Sequence, residues 1–199
     1  MSMEHRELVF EHKSLLDVPF IVISGPSGGG KTTLCLAIKN IIPNVKLLIK
    51  HTNRDMRPNE KSGVDYFFVD STWFNTAIQN KAIISYADRY GNHYALSENE
   101  VTKSLFFNLY PIVILDVHLA VKFKSIYKKS LLVFVGPKDI SEVEKRLEKR
   151  GDDRKDVVAR VQLAVQELGL RNRFDFDYCD TKPPEIAAQH IASIIKNIG

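Results

Sequence analysis

Residues 19–33, with the sequence PFIVISGPSGGGKTT, decide the fold of this 199-residue chain. The first six are mostly apolar, and three of them are β-branched, which predicts a strand buried on both faces. Apolar side chains then recur at helical spacing over residues 31–42, until Pro43 ends the pattern. The glycine-rich residues between the two patterns therefore form the turn that joins a buried strand to a helix.

This turn, GPSGGGKT at residues 25–32, fits the phosphate-binding pattern G-x-x-x-x-G-K-[ST]. Glycines allow consecutive backbone N–H groups to converge on phosphate oxygens, and the helix N-terminus adds partial positive charge. We expect Lys31 to reach the terminal phosphates of ATP and the Thr32 hydroxyl to hold Mg²⁺. The alternative is a glycine-rich turn with Lys31 in solvent. The predicted ATP-binding residues are Gly25, Pro26, Ser27, Gly28, Gly29, Gly30, Lys31, Thr32 and Thr33.

Beyond this turn, the chain alternates apolar runs with helical patterns. Strands are predicted at residues 111–116 and 131–135, and helices at 139–149 and 184–198. Such alternation is typical of an α/β fold in which a parallel sheet is covered by helices on both faces. We therefore predict an α/β fold of this kind.

Between residues 46 and 94 the pattern changes to short aromatic-rich strands around a helix at 71–79. We interpret this stretch as a mixed α+β lobe inserted in the parallel core. Residues 1–18 are predicted to form an N-terminal extension of one or two helical turns, followed by a single domain at 19–199. Its predicted parts are a core at about 19–45, 97–149 and 172–199, the inserted lobe at about 46–96, and a helical lid at about 150–171.

The composition is that of an ordinary globular chain. The net charge is only +4, from 28 basic and 24 acidic residues, and the aromatic residues follow strand patterns instead of a basic stripe. Neither feature indicates a nucleic-acid partner. No apolar run reaches the roughly 18 residues that a membrane span needs, and Cys35 and Cys179 show no metal-ligand spacing. We expect a cytoplasmic protein without membrane partners, whose oligomeric state stays open.

Two further motifs follow the glycine-rich turn. One joins TNRDMRP at residues 52–58 to GVDYFFV at 63–69, and the other is GNHY at 91–94. Arg54 and Arg57 lie three residues apart on a polar loop and can grip one phosphate with forked donors. On these motifs, in this order and spacing, the chain resembles the guanylate kinases from about residue 20 to residue 198. The resemblance implies a P-loop kinase fold.

The resemblance implies a set of acceptor-binding residues in the inserted lobe. Those corresponding to residues that hold the acceptor's phosphate are Arg54, Arg57, Tyr66 and Tyr94. Asp116 corresponds to an acidic residue beneath the acceptor nucleotide, and its alternative role is a helix N-cap. Ser85 is the last predicted acceptor-binding residue and stands where the family has a glutamate that reads guanine. Leu96 stands where the family has a hydroxyl residue, and Lys50 where it has a small serine.

The resemblance also implies an arginine-bearing lid. Arg146, Arg150 and Arg160 match its arginine pattern and, with Lys31, are the predicted catalytic residues. They would neutralise charge on the transferred phosphoryl group. The family's second lid arginine aligns best with Val161, one residue beyond Arg160. The alternative is an amphipathic helix with a solvated basic face.

These features favour an enzyme that uses ATP and Mg²⁺ to phosphorylate a nucleoside monophosphate, with GMP to GDP as the leading reaction. Ser85 and Leu96 leave open a kinase for a different small phosphorylated acceptor. A catalytically inactive binding module of the same fold is a further alternative, although it would not need an intact Lys31 and Thr32. A GTPase is disfavoured, because the nearest match to its N-K-x-D motif, NKAI at residues 80–83, lacks the aspartate.

Overall fold

The computed structural model describes residues 6–89, 91–137, 139–149, 154–179 and 183–198. Within them the chain forms two five-stranded sheets flanked by α-helices. The strands are β1 (Glu7–Val9), β2 (Ile21–Ser24), β3 (Val45–Leu47), β4 (His51–Thr52), β5 (Phe67–Phe68), β6 (Ile83–Arg89), β7 (Asn92–Ser97), β8 (Tyr110–Ile114), β9 (Leu131–Gly136) and β10 (Phe176–Cys179). The helices are α1 (Lys31–Ile41), α2 (Ser71–Gln79), α3 (Glu98–Phe106), α4 (Val117–Ile126), α5 (Ile140–Lys149), α6 (Arg154–Gly169) and α7 (Pro184–Ile198). In these described ranges, the helices are too short or too polar to cross a membrane.

One sheet is the parallel core that the sequence predicts. Its strands lie in the order β10-β9-β2-β8-β3, and all neighbours are parallel. Ile21 and Ile23 of β2 pack against α1 and α7, whereas Phe20 and Val22 pack on the α4 side. All four side chains are at most 1% exposed, so helices cover both faces and the predicted α/β fold is confirmed.

The second sheet belongs to the inserted lobe and has the order β1-β6-β7-β4-β5. Strands β6 and β7 form an antiparallel hairpin, in which Gly91 adopts a φ of 75°. Helix α2 covers this sheet through Phe74, which forms a small core with Ile83, Tyr86 and Ala95. The lobe thus has its own core, beside that of the parallel sheet.

The N-terminal segment, residues 6–17, differs from the expected one or two helical turns. Glu7–Val9 adds a strand to the edge of β6, with Glu7 opposite Ala87 in antiparallel register. Only Lys13–Leu15 forms a short turn of 3₁₀ helix. Three residues are too few to show a strand pattern in the sequence, and the unpaired edge of β6 decides their conformation.

Tyr127, just after α4, fastens this segment to the core. Its hydroxyl donates to the Phe10 carbonyl at 2.7 Å and accepts from the His12 backbone N–H at 3.3 Å. Its fully buried ring packs against Phe20 and Phe123. The segment is therefore part of the folded structure.

Helices α5 and α6 pack on each other at the predicted lid. Their contact is a small apolar cluster of Val143, Val157 and Ala164, against which Val161 is partly buried. Arg150 lies outside the described residues. The limits given above for the domain, lobe and lid stay predictions.

Replacing Tyr127 by Phe should lower the free energy of unfolding by about 1 to 2 kcal/mol, because two backbone groups of the N-terminal segment lose their partner. Urea denaturation followed by circular dichroism would measure this. Tyr110→Phe is the matched control, since the described part of the chain offers the Tyr110 hydroxyl no hydrogen bond. An unchanged stability of the Tyr127 variant would contradict the prediction.

Candidate active site

The glycine-rich turn leaves β2 and enters α1 over residues 25–30. Gly25 has a φ of 137° and Gly28 a φ of 76°, in the region that side chains rarely adopt. Space is a second constraint at Gly25, where a Cβ would lie 1.9 Å from the carbonyl oxygen of Val135 in β9. The turn therefore lies directly on the backbone of β9, which fixes its path.

Lys31 begins α1, and its side chain folds back over the turn. Its Nζ donates hydrogen bonds to the carbonyl oxygens of Gly25 and Pro26, both at 2.7 Å. Burial lowers the pKa of Lys31, while the charges of Glu167 and Asp116 oppose this shift. The amine thus lies at the mouth of the turn, held by weak neutral acceptors that a phosphate oxygen can replace.

Two cavities meet at this turn. One, of about 590 Å³, runs along residues 27–33 and has Thr32 and Thr33 in its wall. The other, of about 240 Å³, is enclosed by the turn, the inserted lobe and α6. Lys31 and Lys50 line both cavities. Ligands in the two cavities would therefore approach each other at Lys31.

The smaller cavity collects most of the predicted acceptor-binding residues. Its walls include Arg54, Arg57, Tyr66, Tyr94 and Asp116. Ser85 is the exception, since it is 1% exposed, lies in β6 opposite Val9, and lines neither cavity. Leu96 is likewise fully buried. In the described residues, neither of the two cavities therefore reaches Ser85 for the predicted contact with an acceptor.

Glu60 orients the two arginines of the inserted lobe. Arg54 Nη2 donates to both Glu60 oxygens, at 2.8 and 2.9 Å, and the backbone N–H of Arg57 donates to Glu60 at 2.9 Å. The Arg54 guanidinium also lies 5.7 Å from the centre of the Tyr66 ring. Arg57 is freer, with a side chain 54% exposed. One arginine is therefore fixed in orientation and the other can reach into either cavity.

Asp116 is the N-cap residue of α4, but its side chain makes no capping hydrogen bond. Instead its Oδ2 accepts a hydrogen bond from Arg89 Nε at 3.3 Å. Burial would raise the pKa of Asp116, but the charges of Lys50, Arg89 and Lys31 outweigh it and lower the pKa. Asp116 is therefore ionised at neutral pH and is held by Arg89 at the cavity wall.

Helix α6 brings Arg160 and Glu167 to the same cavity. Glu167 is only 5% exposed, and this burial raises its pKa to about 7, although Lys31 acts in the opposite direction. Arg146 of α5 donates to the Gly28 carbonyl at 3.0 Å and to Glu142 at 2.9 Å. Arg146 thus contacts the glycine-rich turn, whereas Arg160 lines the smaller cavity.

Three charged residues of the smaller cavity, namely Glu60, Arg89 and Glu167, are not identified by the reasoning from sequence. The sequence carries a signal for Glu60, because this residue occupies the glutamate position of the family's R-x-x-R-x-G-E run. Arg89 and Glu167 have none, because Arg89 lies two residues before the GNHY motif but belongs to no pattern of its own, and Glu167 lies in an ordinary helix. Only folding brings them to the cavity wall.

The raised pKa of Glu167 predicts a pH dependence of stability. Its pKa is about 7 in the folded chain against an ordinary value of 4.5. The folded state therefore holds a proton that the unfolded state has already lost, and stability falls as the pH rises from about 5 to about 8. Over that range, the free energy of unfolding of the wild type should fall by about 2 to 3 kcal/mol more than that of Glu167→Gln.

Urea denaturation at both pH values would test this pH dependence. Glu144→Gln is the control, because Glu144 is an exposed glutamate of α5, and it should retain the wild-type dependence. An equal decrease in the free energy of unfolding between these pH values in the wild type and in Glu167→Gln would contradict the prediction.

Comparison with known proteins agrees with this architecture. The family model for guanylate kinase matches residues 18–197. The guanylate kinase of Carboxydothermus hydrogenoformans is 36% identical over 166 residues, covering 83% of this chain and 79% of that protein. The guanylate kinase of Fusobacterium nucleatum is 33% identical over 177 residues, covering 88% of this chain and 95% of that protein. In fold, the chain is similar to the crystal structure of guanylate kinase from Anaplasma phagocytophilum, with a TM-score of 0.70 and 24% sequence identity. The match covers 91% of this chain and 85% of that chain. The chain therefore belongs to the guanylate kinase family of nucleoside monophosphate kinases.

Proposed function

We propose that the protein transfers the γ-phosphoryl group of ATP to GMP, forming ADP and GDP. The main support is geometric, since Lys31 and five acceptor-binding candidates line one cavity of about 240 Å³. Membership of the family favours GMP among the nucleoside monophosphates. We also propose a cytoplasmic location, where ATP and nucleoside monophosphates are available.

The glycine-rich turn is the proposed ATP site. Glycines leave the backbone N–H groups uncovered by side chains, and α1 adds partial positive charge at its start. Lys31 would exchange the carbonyl oxygens of Gly25 and Pro26 for phosphate oxygens. The exposed Thr32 hydroxyl would hold Mg²⁺, which would supply neutralisation of the phosphate charge.

The inserted lobe is the proposed acceptor site. Arg54 and Arg57 would bind the acceptor's phosphate, and Glu60 reduces the entropy lost on binding because it already orients Arg54. Tyr66 and Tyr94 can add phenolic hydrogen bonds. Asp116, as an ionised carboxylate, can accept a hydrogen bond from an N–H of the nucleoside.

The proposed mechanism needs positioning and charge neutralisation. An oxygen of the acceptor's phosphate is already ionised, so no protein group has to remove a proton from it. Arg146 and Arg160, with the predicted Arg150, would neutralise charge that develops on the transferred phosphoryl group. Lys31 lies where the two cavities meet and would stabilise the same group. Closure of the lid would exclude water, which otherwise competes as acceptor.

A second candidate is a kinase for a different small phosphorylated acceptor. Ser85 and Leu96 are buried away from the cavity, and Lys50 lines it. A lysine amine only donates hydrogen bonds, so Lys50 cannot accept one from the N–H groups of guanine. This cavity wall favours an acceptor rich in oxygen atoms.

Incubation with ATP, Mg²⁺ and each of GMP, dGMP, AMP, CMP, UMP and IMP tests the proposal. Release of ADP should be at least about tenfold faster with GMP than with AMP, CMP or UMP, because membership of the guanylate kinase family favours a site shaped for guanine. Faster turnover of another phosphorylated acceptor would favour the second candidate. No turnover of any acceptor, with ATP still bound, would show an inactive binding module.

Replacing Lys31 by Ala should lower kcat at least about a hundredfold, because one cation that contacts the transferred group is lost. The fold should persist, since the side chain bonds only to carbonyl oxygens of the turn. Lys39→Ala is the matched control, because Lys39 is an exposed lysine of the same helix, and it should retain full activity. Activity retained in Lys31→Ala would contradict the assignment of the turn.

A further inference from the structure

Glu7 lies in the N-terminal segment, before residues 18–197 that the family model matches. Its strand, β1, extends the sheet of the inserted lobe by pairing with β6. The Glu7 side chain is only 5% exposed. A carboxylate buried to this extent needs a cationic partner, since desolvation of an unpaired charge is costly.

That partner is Arg89, the last residue of β6. Arg89 Nη2 donates a charge-assisted hydrogen bond to Glu7 Oε1, and its Nε donates to Asp116 Oδ2 at 3.3 Å. The Arg89 side chain is 10% exposed and lines the smaller cavity, whereas Glu7 does not. The planar guanidinium of Arg89 thus joins Glu7, which lies outside the cavity, to Asp116 in the cavity wall.

The charges of these three residues depend on one another. Burial alone would lower the pKa of Arg89, but Asp116 and Glu7 outweigh it and raise the pKa. Without the charge of Glu7, Asp116 is the one carboxylate of the described residues that still accepts a hydrogen bond from the guanidinium, so the terminal nitrogens of Arg89 are expected to turn toward Asp116 in a forked pair. Both Asp116 oxygens would then be occupied by Arg89.

The position of Glu7 is set from two sides. On the lobe side, the Asp88 backbone N–H donates to the Arg6 carbonyl at 2.9 Å. On the core side, Lys122 of α4 donates to the Glu7 carbonyl at 3.4 Å, and its Nζ lies 3.9 Å from Glu7 Oε2. A side chain held on a paired strand between two layers can orient its partner closely.

We infer that Glu7 is a positioning residue of the acceptor site, which holds Arg89 so that one oxygen of Asp116 stays available to the nucleoside monophosphate. The inference rests on the proposed function, because it takes a monophosphate as the ligand. It gives the N-terminal segment a role in acceptor binding, although the family match begins only at residue 18.

The experiment compares Glu7→Gln with the wild type. The substitution keeps the shape of the side chain and removes its charge. Calorimetric titration without ATP should show Kd for the monophosphate raised about tenfold, and steady-state kinetics should show the same rise in KM for the acceptor. The KM for ATP and kcat should stay within about twofold, because the glycine-rich turn and the lid are untouched.

Two further variants make the result specific. Glu11→Gln is the matched control, since Glu11 is an exposed glutamate of the same segment, and it should leave all constants unchanged. Arg89→Lys keeps the charge but lacks the planar fork of donors through which Arg89 joins Glu7 to Asp116. If Glu7 acts through Arg89, adding Glu7→Gln to Arg89→Lys should change Kd less than about twofold.

The outcomes separate this inference from the proposed function. Failure of the wild type to turn over GMP would contradict the proposed function. The ratio of Kd in Glu7→Gln to Kd in the wild type, measured with the monophosphate that binds best, would still decide the role of Glu7. An unchanged Kd in a folded Glu7→Gln chain would overturn the inference. So would a parallel loss of Tm, kcat and affinity for ATP, which would show a structural role alone. A wild type that binds no monophosphate would overturn both.

Discussion

The close packing of the glycine-rich turn on β9 is the constraint on which the rest of the site depends. Gly25 lies so near the Val135 carbonyl that a side chain there would displace the turn. Because β2 and β9 are neighbouring parallel strands, this contact holds the turn at the carboxyl ends of both strands. Lys31 is thereby placed between the two cavities, and the other charged residues are arranged around it.

Opposite charges in the smaller cavity keep its arginines in place. Within the described residues its walls contain six cations and three carboxylates, namely Lys31, Lys50, Arg54, Arg57, Arg89 and Arg160, with Glu60, Asp116 and Glu167. Two of the carboxylates each hold an arginine. The third is Glu167, whose buried carboxyl has a pKa of about 7 and so carries only part of a charge near neutrality. The cavity therefore keeps an excess of positive charge, which suits phosphates and explains where part of the modest net charge of +4 is concentrated.

Reasoning from sequence succeeds where one local pattern carries the information. The strand, glycine-rich turn and helix over residues 19–42 combine apolar runs with a fixed spacing, and the parallel α/β core follows from their alternation. It fails at β1, because three residues show no period and the edge of β6 decides their pairing. It also does not anticipate the burial of Ser85, because alignment with a family pattern says nothing about whether a side chain faces a cavity or a neighbouring strand.

The sequence by itself determines the fold class, the glycine-rich turn and the membership of a kinase family, because each of these is carried by short motifs whose residues lie close together along the chain. The tertiary structure alone decides which charges meet. Arg89 lies 82 residues from Glu7 and 27 from Asp116 along the chain, yet its guanidinium contacts both. Contacts of this kind depend on the packing of β1, β6 and α4, and the energies that select them come from burial and charge pairing after the elements have assembled.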